Sequence, residues 1–281
     1  MHAQGAIDLA RELAREGRSL LRERAFHQPH PPDEGLVLDV GGGDRPHPRA
    51  DVVVDKYVVD SFERETDLAF TKPVVVADGE ELPFADGAFA YLIASHVLEH
   101  AIDPTRMAAE FSRVAKAGFV QVPSAEAEVH YGWPFHPWHV DRRGDTLVFK
   151  PKPVGASANG RAMHDAYHES LLVRLGWAAH RSRWHHSVHW TGRLEVDAPV
   201  LETREHEQAD IDLERTLSAL AAMGRAGSVV PLDSRLRNLL RCPDAACRGT
   251  LVFADDTATC DGCGTRYPSP GGVPVLLTQT R

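Results

Sequence analysis

The first chemical signal in this chain is a pair of acids set around a glycine cluster. Leu36 to Asp55 reads LVLDVGGGDRPHPRADVVVD, with Asp39 just ahead of Gly41, Gly42 and Gly43, and Asp55 closing a run of valines. An acid and small residues at the end of an apolar strand let backbone and carboxylate approach a ligand closely. A pyrophosphate would require G-x-G-x-x-G opening straight into a long helix whose N-terminus faces the phosphates. Here Pro46 and Pro48 follow within five residues of Gly43, so that helix is absent or very short and a dinucleotide is disfavoured. A ligand with a cationic end and no phosphate suits these carboxylates better. Downstream, His96, Glu99 and His100 spell H-x-x-E-H, a spacing that some zinc peptidases use along a helix. Asp103-Pro104 restarts the chain as a new helix directly afterwards, which leaves too little helix for that chemistry.

The four cysteines of the chain all stand in its tail: Cys242, Cys247, Cys260 and Cys263, as C-x4-C and C-x2-C a hairpin length apart. Two close pairs at this spacing, in a chain expected to be cytoplasmic, read as a four-thiolate structural zinc site rather than as disulfides. A unit of some forty residues needs such a staple to fold. A redox role for Cys260 and Cys263 lacks the strand-helix context it would require.

These groups are positioned by short apolar runs alternating with helical patterns, the mark of a mostly parallel sheet with crossover helices. Leu36 to Val40, Val52 to Val54, Val74 to Ala77, Tyr91 to Ala94 and Phe119 to Val122 are expected to be five successive strands. A helix is expected from Pro104 to Ala115, capped by Asp103 and stopped by Gly118. Apolar spacing predicts another over residues 5 to 24, ended by the proline cluster at 28 to 33. The expected fold is α/β, a Rossmann-like doubly wound sheet with a small C-terminal domain. The divisions are an N-terminal helix at 1–33, the main domain at 34–200, a helical connector at 201–238 and the cysteine-bearing unit at 239–281. Residues 124 to 200 hold all 5 tryptophans and nine of the 16 histidines, with a helix expected over His164 to Leu175 and a strand near Arg193 to Val196. This is either an irregular packed region or a specificity insertion over a site.

Composition bounds the function. A chain of 281 residues with 43% hydrophobic and 25% charged residues is globular, and its apolar runs are far shorter than the ~20 residues of a membrane span. Residues 6 to 24 carry too many charges for a secretory signal, so the expected location is cytoplasmic. Of the net charge of −9, most falls in residues 34–123, which hold sixteen acids and eight bases. Without a basic stripe, nucleic acid is not the expected substrate.

The segment Leu36 to Asp55 resembles motif I and the following acidic strand end of class I S-adenosylmethionine-dependent methyltransferases. The resemblance continues through ADGEELPFADGAFAYLIASHVLEHAIDP, Ala77 to Pro104. It implies that Asp39, Gly41 and Gly43 surround the methionine part of S-adenosylmethionine and that Asp55 accepts from both ribose hydroxyls. It implies adenine recognition by Asp78, with Gly79 and Glu80 shaping that pocket, and a place for Ser95 and His96 under the methyl group. Arg45 stands where the common pattern has a third glycine. The segment around His96, Glu99 and His100 also resembles, locally, ubiquinone-pathway O-methyltransferases, whose equivalent segment holds a divalent ion; the plainer reading has these histidines lining the cofactor pocket.

For an acceptor hydroxyl a general base helps, and His100, His136 and His139 are the candidates. The N-P-P-[YF] signature of amino-base methyltransferases is missing, since S-H-V-L stands there. The tail, Leu239 to Leu277, resembles the small zinc-ribbon-like proteins that activate tRNA and protein-glutamine methyltransferases, most clearly in its Y-P-x-x-x-G-x-P-V-L-L ending. The expected function is methylation, by preference O-methylation, of a small molecule or biosynthetic intermediate. The alternatives are a protein or tRNA methyltransferase with its activator in cis, and a non-catalytic cofactor-binding scaffold. A homodimer is left open.

Overall fold

The computed structural model describes residues 17, 21–59, 68, 70–153, 159–201 and 211–278. The helix expected over 5–24 lies mostly outside them; residues 21–26 are helical. β1 (Val37–Val40), β2 (Val52–Asp55), β3 (Val74–Ala77), β4 (Tyr91–Ser95) and β5 (Ala117–Pro123) fall where the apolar runs place strands. They are followed by β6 (Trp138–Arg143), β7 (Thr146–Pro151), β8 (His185–Thr191) and the two-residue β9 (Val196–Asp197). The tail supplies β10 (Leu251–Ala254), β11 (Thr257–Cys260), β12 (Arg266–Pro268) and β13 (Val275–Leu276). The main sheet runs β13-β3-β2-β1-β4-β5-β8, with β8 antiparallel to β5 and every other neighbouring pair parallel.

The valine-rich strands are continuous apolar runs because both faces of the sheet are covered. Leu38, Val40, Val52, Val54, Val75 and Ala77 pack on one side with Phe84, Phe89, Phe111 and Leu98. Val53, Val74 and Val76 face the other side, against Leu220, Val273 and Val275. The first side is covered by the helix Pro104–Val114, which buries Met107, Ala108, Phe111 and Val114 and is capped by Asp103 accepting from Arg106 N at 2.9 Å. Leu220 belongs to the helix Leu213–Arg225, so the stretch read as a connector packs against the sheet.

Gly118 does not stop the Pro104–Val114 helix. The chain turns extended at Ala115, and Gly118 lies inside β5. A Cβ there would sit 2.5 Å from Leu92 O and 2.7 Å from the Trp190 ring, so the glycine is what lets the β8 tryptophan lie flat across β5. The helix expected over His164 to Leu175 is two helices, Gly160–Glu169 and Leu171–Ala179. Ser170 between them is extended and caps the second, its Oγ accepting from Val173 N at 3.4 Å. A serine competing with the helix for backbone donors accounts for the break.

The tail forms an antiparallel sheet, β10-β11-β12, and then sends β13 to pair in parallel with β3, Val275 opposite Val76. It is tied to the loop after β3 by Ala85 N donating to Leu239 O and Arg241 N to Pro83 O, each at 2.9 Å. Arg248 adds bonds to Leu82 O at 2.8 Å and Glu110 Oε1 at 2.9 Å. No helix among the described residues is long and apolar enough to cross a membrane. Gly118→Ala is expected to destabilise the chain by about 1–3 kcal/mol through overpacking against Trp190, read as a lowered urea midpoint with unchanged slope.

Candidate active site

The sheet order reverses between β1 and β4, and a crevice opens there at the carboxyl ends of the strands, where open α/β sheets hold ligands. It is a cleft of about 640 Å³, in the range of small-molecule sites. Asp39, Gly41, Gly43, Asp55, Asp78, Gly79, Ser95 and His96 all line it, as does His100. Of the residues expected around a cofactor, Glu80 alone is outside the lining.

No helix follows the glycines: the described chain from Gly41 to Asp51 is turns and bends. Gly41 has φ 68°, and a Cβ there would lie 2.3 Å from Val97 Cγ2, so both its conformation and its packing require glycine. Asp39 is buried, and its Oδ2 accepts from His47 N at 2.7 Å. Burial pushes the Asp39 carboxyl up to about 6, against the His47 hydrogen bond and with help from the nearby Asp55. Asp55 is buried at the end of β2, its Oδ1 accepting from Tyr57 N at 2.9 Å. Asp78 Oδ1 accepts from Glu80 N at 2.9 Å, while Oδ2 pairs with Lys56 Nζ at 2.8 Å. A Cβ on Gly79 would come within 3.0 Å of Met107 Cε, which explains the small residue beside that wall.

Glu80 reaches past the cleft to the start of the next helix, where Oε1 accepts from Ile102 N at 2.7 Å and Asp103 N at 3.2 Å. Burial, then Asp78, push its carboxyl up to about 7 despite those two bonds.

Beyond β4, His96 has φ 58°, rare for a residue with a Cβ, and is held by its N–H to Gln121 O at 2.8 Å. Leu98–His100 is a single 3-10 turn, not the helix that the peptidase pattern needs. Glu99 is fully buried, with Oε1 at 3.1 Å from His96 Nδ1. Burial raises its carboxyl, but the His96 bond and the imidazoles of His100 and His136 outweigh that and leave it below its ordinary value. His100 stacks on Phe135 with ring centroids 5.6 Å apart and meets His136 edge-on at 4.5 Å. His136 is buried behind the wall, hydrogen-bonded to Glu128, whose other oxygen pairs with Lys152 Nζ at 2.7 Å. His139 sits on β6, partly buried and outside the cleft lining. Of the three histidines expected near the acceptor, the structure thus brings only His100 to the cleft.

The histidine- and tryptophan-rich segment adjoins this end of the site. His185 meets His96 edge-on at 5.1 Å and Trp177 at 5.2 Å, and Trp177 stacks on Trp184 at 4.9 Å. Lining residues that sequence reasoning missed are Lys56, Tyr57, His47 and Met107, and Gln28 and Pro29 from the segment read as a boundary. The Lys-Tyr pair directly after Asp55 was a visible signal. The arm before Gln28 is latched by His27, whose Nδ1 lies 2.7 Å from Ser187 Oγ and Nε2 3.0 Å from Ser182 Oγ, contacts too distant in sequence to be read from it.

Away from the cleft, the sulfurs of Cys242, Cys247, Cys260 and Cys263 lie within 4.8 Å of one another. Cys242 and Cys263 are 3.9 Å apart and Cys247 and Cys260 3.5 Å, close to the ~3.8 Å edge of a tetrahedron with zinc–sulfur bonds of about 2.3 Å.

Residues 39–120 match the model of a family described as a methyltransferase domain. The chain carries a methyltransferase domain. No curated protein matches it. Among solved structures it is similar to a Haloferax volcanii complex between the Trm112 methyltransferase activator and a methyltransferase, at 15% identity, covering 66% of this chain and 94% of that one, with a TM-score of 0.37. YcgJ of Bacillus subtilis aligns at 22% identity over 38% of this chain and 51% of its own, TM-score 0.28. A Thermotoga maritima SAM-dependent methyltransferase aligns at 16% identity over 51% and 56%, TM-score 0.26. The chain spans about half the length of the latter two.

Asp39 and Glu80 give the methyltransferase domain a pH signature. Their folded values, about 6 and about 7, lie above the ordinary 3.8 and 4.5, so the folded state holds these protons more tightly than the unfolded one. Their contribution to stability is full below about pH 4 and lost as pH rises through about 6 to 7. In Glu80→Gln the amide oxygen can still accept from Ile102 N, so the variant should lose its share of that decline. Urea midpoints of the two proteins should converge or reverse in order between pH 4.5 and 7.5, and a constant difference would contradict the assignment.

Proposed function

We propose that this methyltransferase domain uses S-adenosylmethionine to methylate a hydroxyl of a small molecule or biosynthetic intermediate, with structural zinc in the tail. The observation that carries the reading is the convergence of Asp39, Asp55 and Asp78 on one cleft whose glycine loop leads into no helix. Such a site suits a ligand with hydroxyls, an amine and a sulfonium, and lacks the helix N-terminus that a pyrophosphate would want. S-adenosylmethionine, when bound, supplies an electrophilic methyl group.

In this reading Asp55 accepts from the ribose hydroxyls, and Asp39 with the glycines faces the cationic methionine end. Asp78 serves the adenine amino group while keeping Lys56. Gly79 borders the same wall, and Glu80 supports it from outside by fixing the backbone at Ile102 and Asp103. Ser95 and His96 border the transferring methyl. Most of the enzyme's work is alignment of acceptor oxygen and methyl carbon. His100 stands where the acceptor's proton must be handled, and His136, outside the lining, acts through it. His139 is set aside as a base by its position on β6. The four cysteines would hold zinc as thiolates, closing the loops of β10-β11-β12 in a unit too small to fold on its core alone.

A second reading, a protein or tRNA methyltransferase with its activator in cis, is favoured by one observation: the tail docks on the loop after β3 and adds β13 to the sheet edge. Transfer of labelled methyl groups separates the two, since small hydroxylated acceptors should be labelled and peptide or tRNA should not. Label entering only the macromolecules would reverse the choice.

Asp55→Ala should weaken S-adenosylmethionine binding by about 10- to 100-fold, the loss of a buried acceptor of two hydrogen bonds, measured by equilibrium dialysis; unchanged affinity would remove the ribose assignment. A chain cut to residues 1–235 should be less soluble, because Val74 and Val76 lose the cover of Val273 and Val275. Equal solubility and activity would mean that the tail is no helper.

A further inference from the structure

The chain ahead of β1 walls one side of the cleft as a strap, through Gln28 and Pro29. The strap is held on either side of these two residues. Toward β1, Arg49 grips its backbone, Nε donating to Pro32 O at 3.2 Å and Nη2 to Asp33 O at 2.9 Å and Gly35 O at 2.6 Å. On the other side stands His27, 2% exposed, which reaches two serines far away in sequence. Its Nδ1 lies 2.7 Å from Ser187 Oγ on β8, and its Nε2 3.0 Å from Ser182 Oγ on the short helix Arg181–Trp184. Glu23 Oε1 accepts from Ser182 N at 3.0 Å, and His30 N donates to Tyr91 Oη at 3.3 Å.

The surroundings of His27 decide where its proton sits. Ser187 is fully buried, and Gln121 Nε2 donates to its Oγ at 2.9 Å, so the serine's own proton goes to His27 Nδ1. Nε2 then carries the ring's proton and donates it to Ser182 Oγ. A second proton would make Nδ1 a donor as well and strand the Ser187 hydroxyl proton in a dry place, which is costly. The nearby charges act in the same direction. Burial disfavours the charged ring most; Glu23 on its own helix favours it, while Arg181, Arg142 on β6 and His186 on β8 oppose it, and the ring is held below its ordinary value. His185, which also faces it, stays neutral, pushed down to about 2.

We propose that His27 is a proton-sensitive latch on the cleft: the neutral ring pins Gln28 and Pro29 in the cleft wall, and the protonated ring releases the strap and opens the site for cofactor exchange. His27 is not among the residues lining the cleft, so its part is positioning. A ring that protonates more readily when free holds the latch at full strength above about pH 6.5, the ordinary histidine value, and weakens it as pH falls. The step from an open strap to cofactor exchange rests on the S-adenosylmethionine reading; the latch itself does not.

Hydrogen exchange on the full chain without ligand tests the latch. Protection of the His27, Gln28 and His30 amides, corrected for intrinsic rates and measured relative to the amides of β4, should fall by up to about tenfold from pH 7.5 to 5.5, the most that one proton supplies over the one unit below 6.5. His27→Gln, which takes up no proton, should abolish that pH dependence. Ser182→Ala, at an exposed position, should lower protection at pH 7.5 and keep the dependence. A wild-type strap equally protected at both pH values would overturn the proposal, as would the same decline in His27→Gln. Release of S-adenosylmethionine should quicken at pH 5.5 in the wild type more than in His27→Gln; Asp39 and Glu80 titrate in both proteins, so the difference isolates His27. An equal change in both would overturn the exchange step. A strap that opens on protein that binds no S-adenosylmethionine would support the latch and remove the methyl-transfer reading.

Discussion

The structure depends on keeping carboxylates at the ends of buried parallel strands. Asp39 and Asp55 end apolar strands covered on both faces, and each is more than nine-tenths buried. Burial alone would drive such groups toward the neutral form. The sheet makes this tolerable by reversing its order between β1 and β4, which opens a crevice, and by turning backbone donors of His47 and Tyr57 onto the two acids. The residual tension is visible in Asp39, whose carboxyl stays raised. In the proposed reading, a ligand that is cationic and rich in hydroxyls would relieve it. Glu80, half-buried beside the cleft, shows the same raised carboxyl, whereas the neighbouring imidazoles bring the fully buried Glu99 below its ordinary value.

Around this crevice the remaining parts act as covers. The Pro104–Val114 helix seals one face and the Leu213–Arg225 helix, with the end of the tail, the other. The tail is bound to the loop after β3 at both of its ends: Leu239 to Arg248 hold residues 82–85, and β13 completes the edge beside β3. A cysteine unit that could have hung from the domain is thereby part of how the Asp78 strand is held. The histidine-rich segment closes the opposite end, with His185 against His96 and Phe135 against His100.

What the sequence made legible was local. Five strands, the Asp103 cap and the gathering at one cleft of eight of the nine residues expected around a cofactor follow from apolar runs, cap chemistry and the resemblance at Leu36 to Pro104, because strand ends in this fold fall at one place. Glu80 escaped because its partners, Ile102 and Asp103, are brought near only by the crossover. Gly118 was read as a stop signal, since a glycine after a helix and a glycine beneath a cross-strand tryptophan look alike in sequence. Gln28 and Pro29 belong to the proline cluster that in sequence marks only a boundary, yet they wall the cleft, next to a latch from His27 to Ser187. The pairing of His136 with His100 and Glu99 was hidden in a run of nine histidines without periodicity.

The central claim is that these strand ends form a site for S-adenosylmethionine and not for a dinucleotide. Calorimetric titration of the purified, metal-analysed protein with S-adenosylmethionine and, separately, with NAD tests it most directly. Saturable binding of S-adenosylmethionine near one per chain, with no heat from NAD, is the predicted result. Binding of NAD, or of neither ligand, would contradict the account.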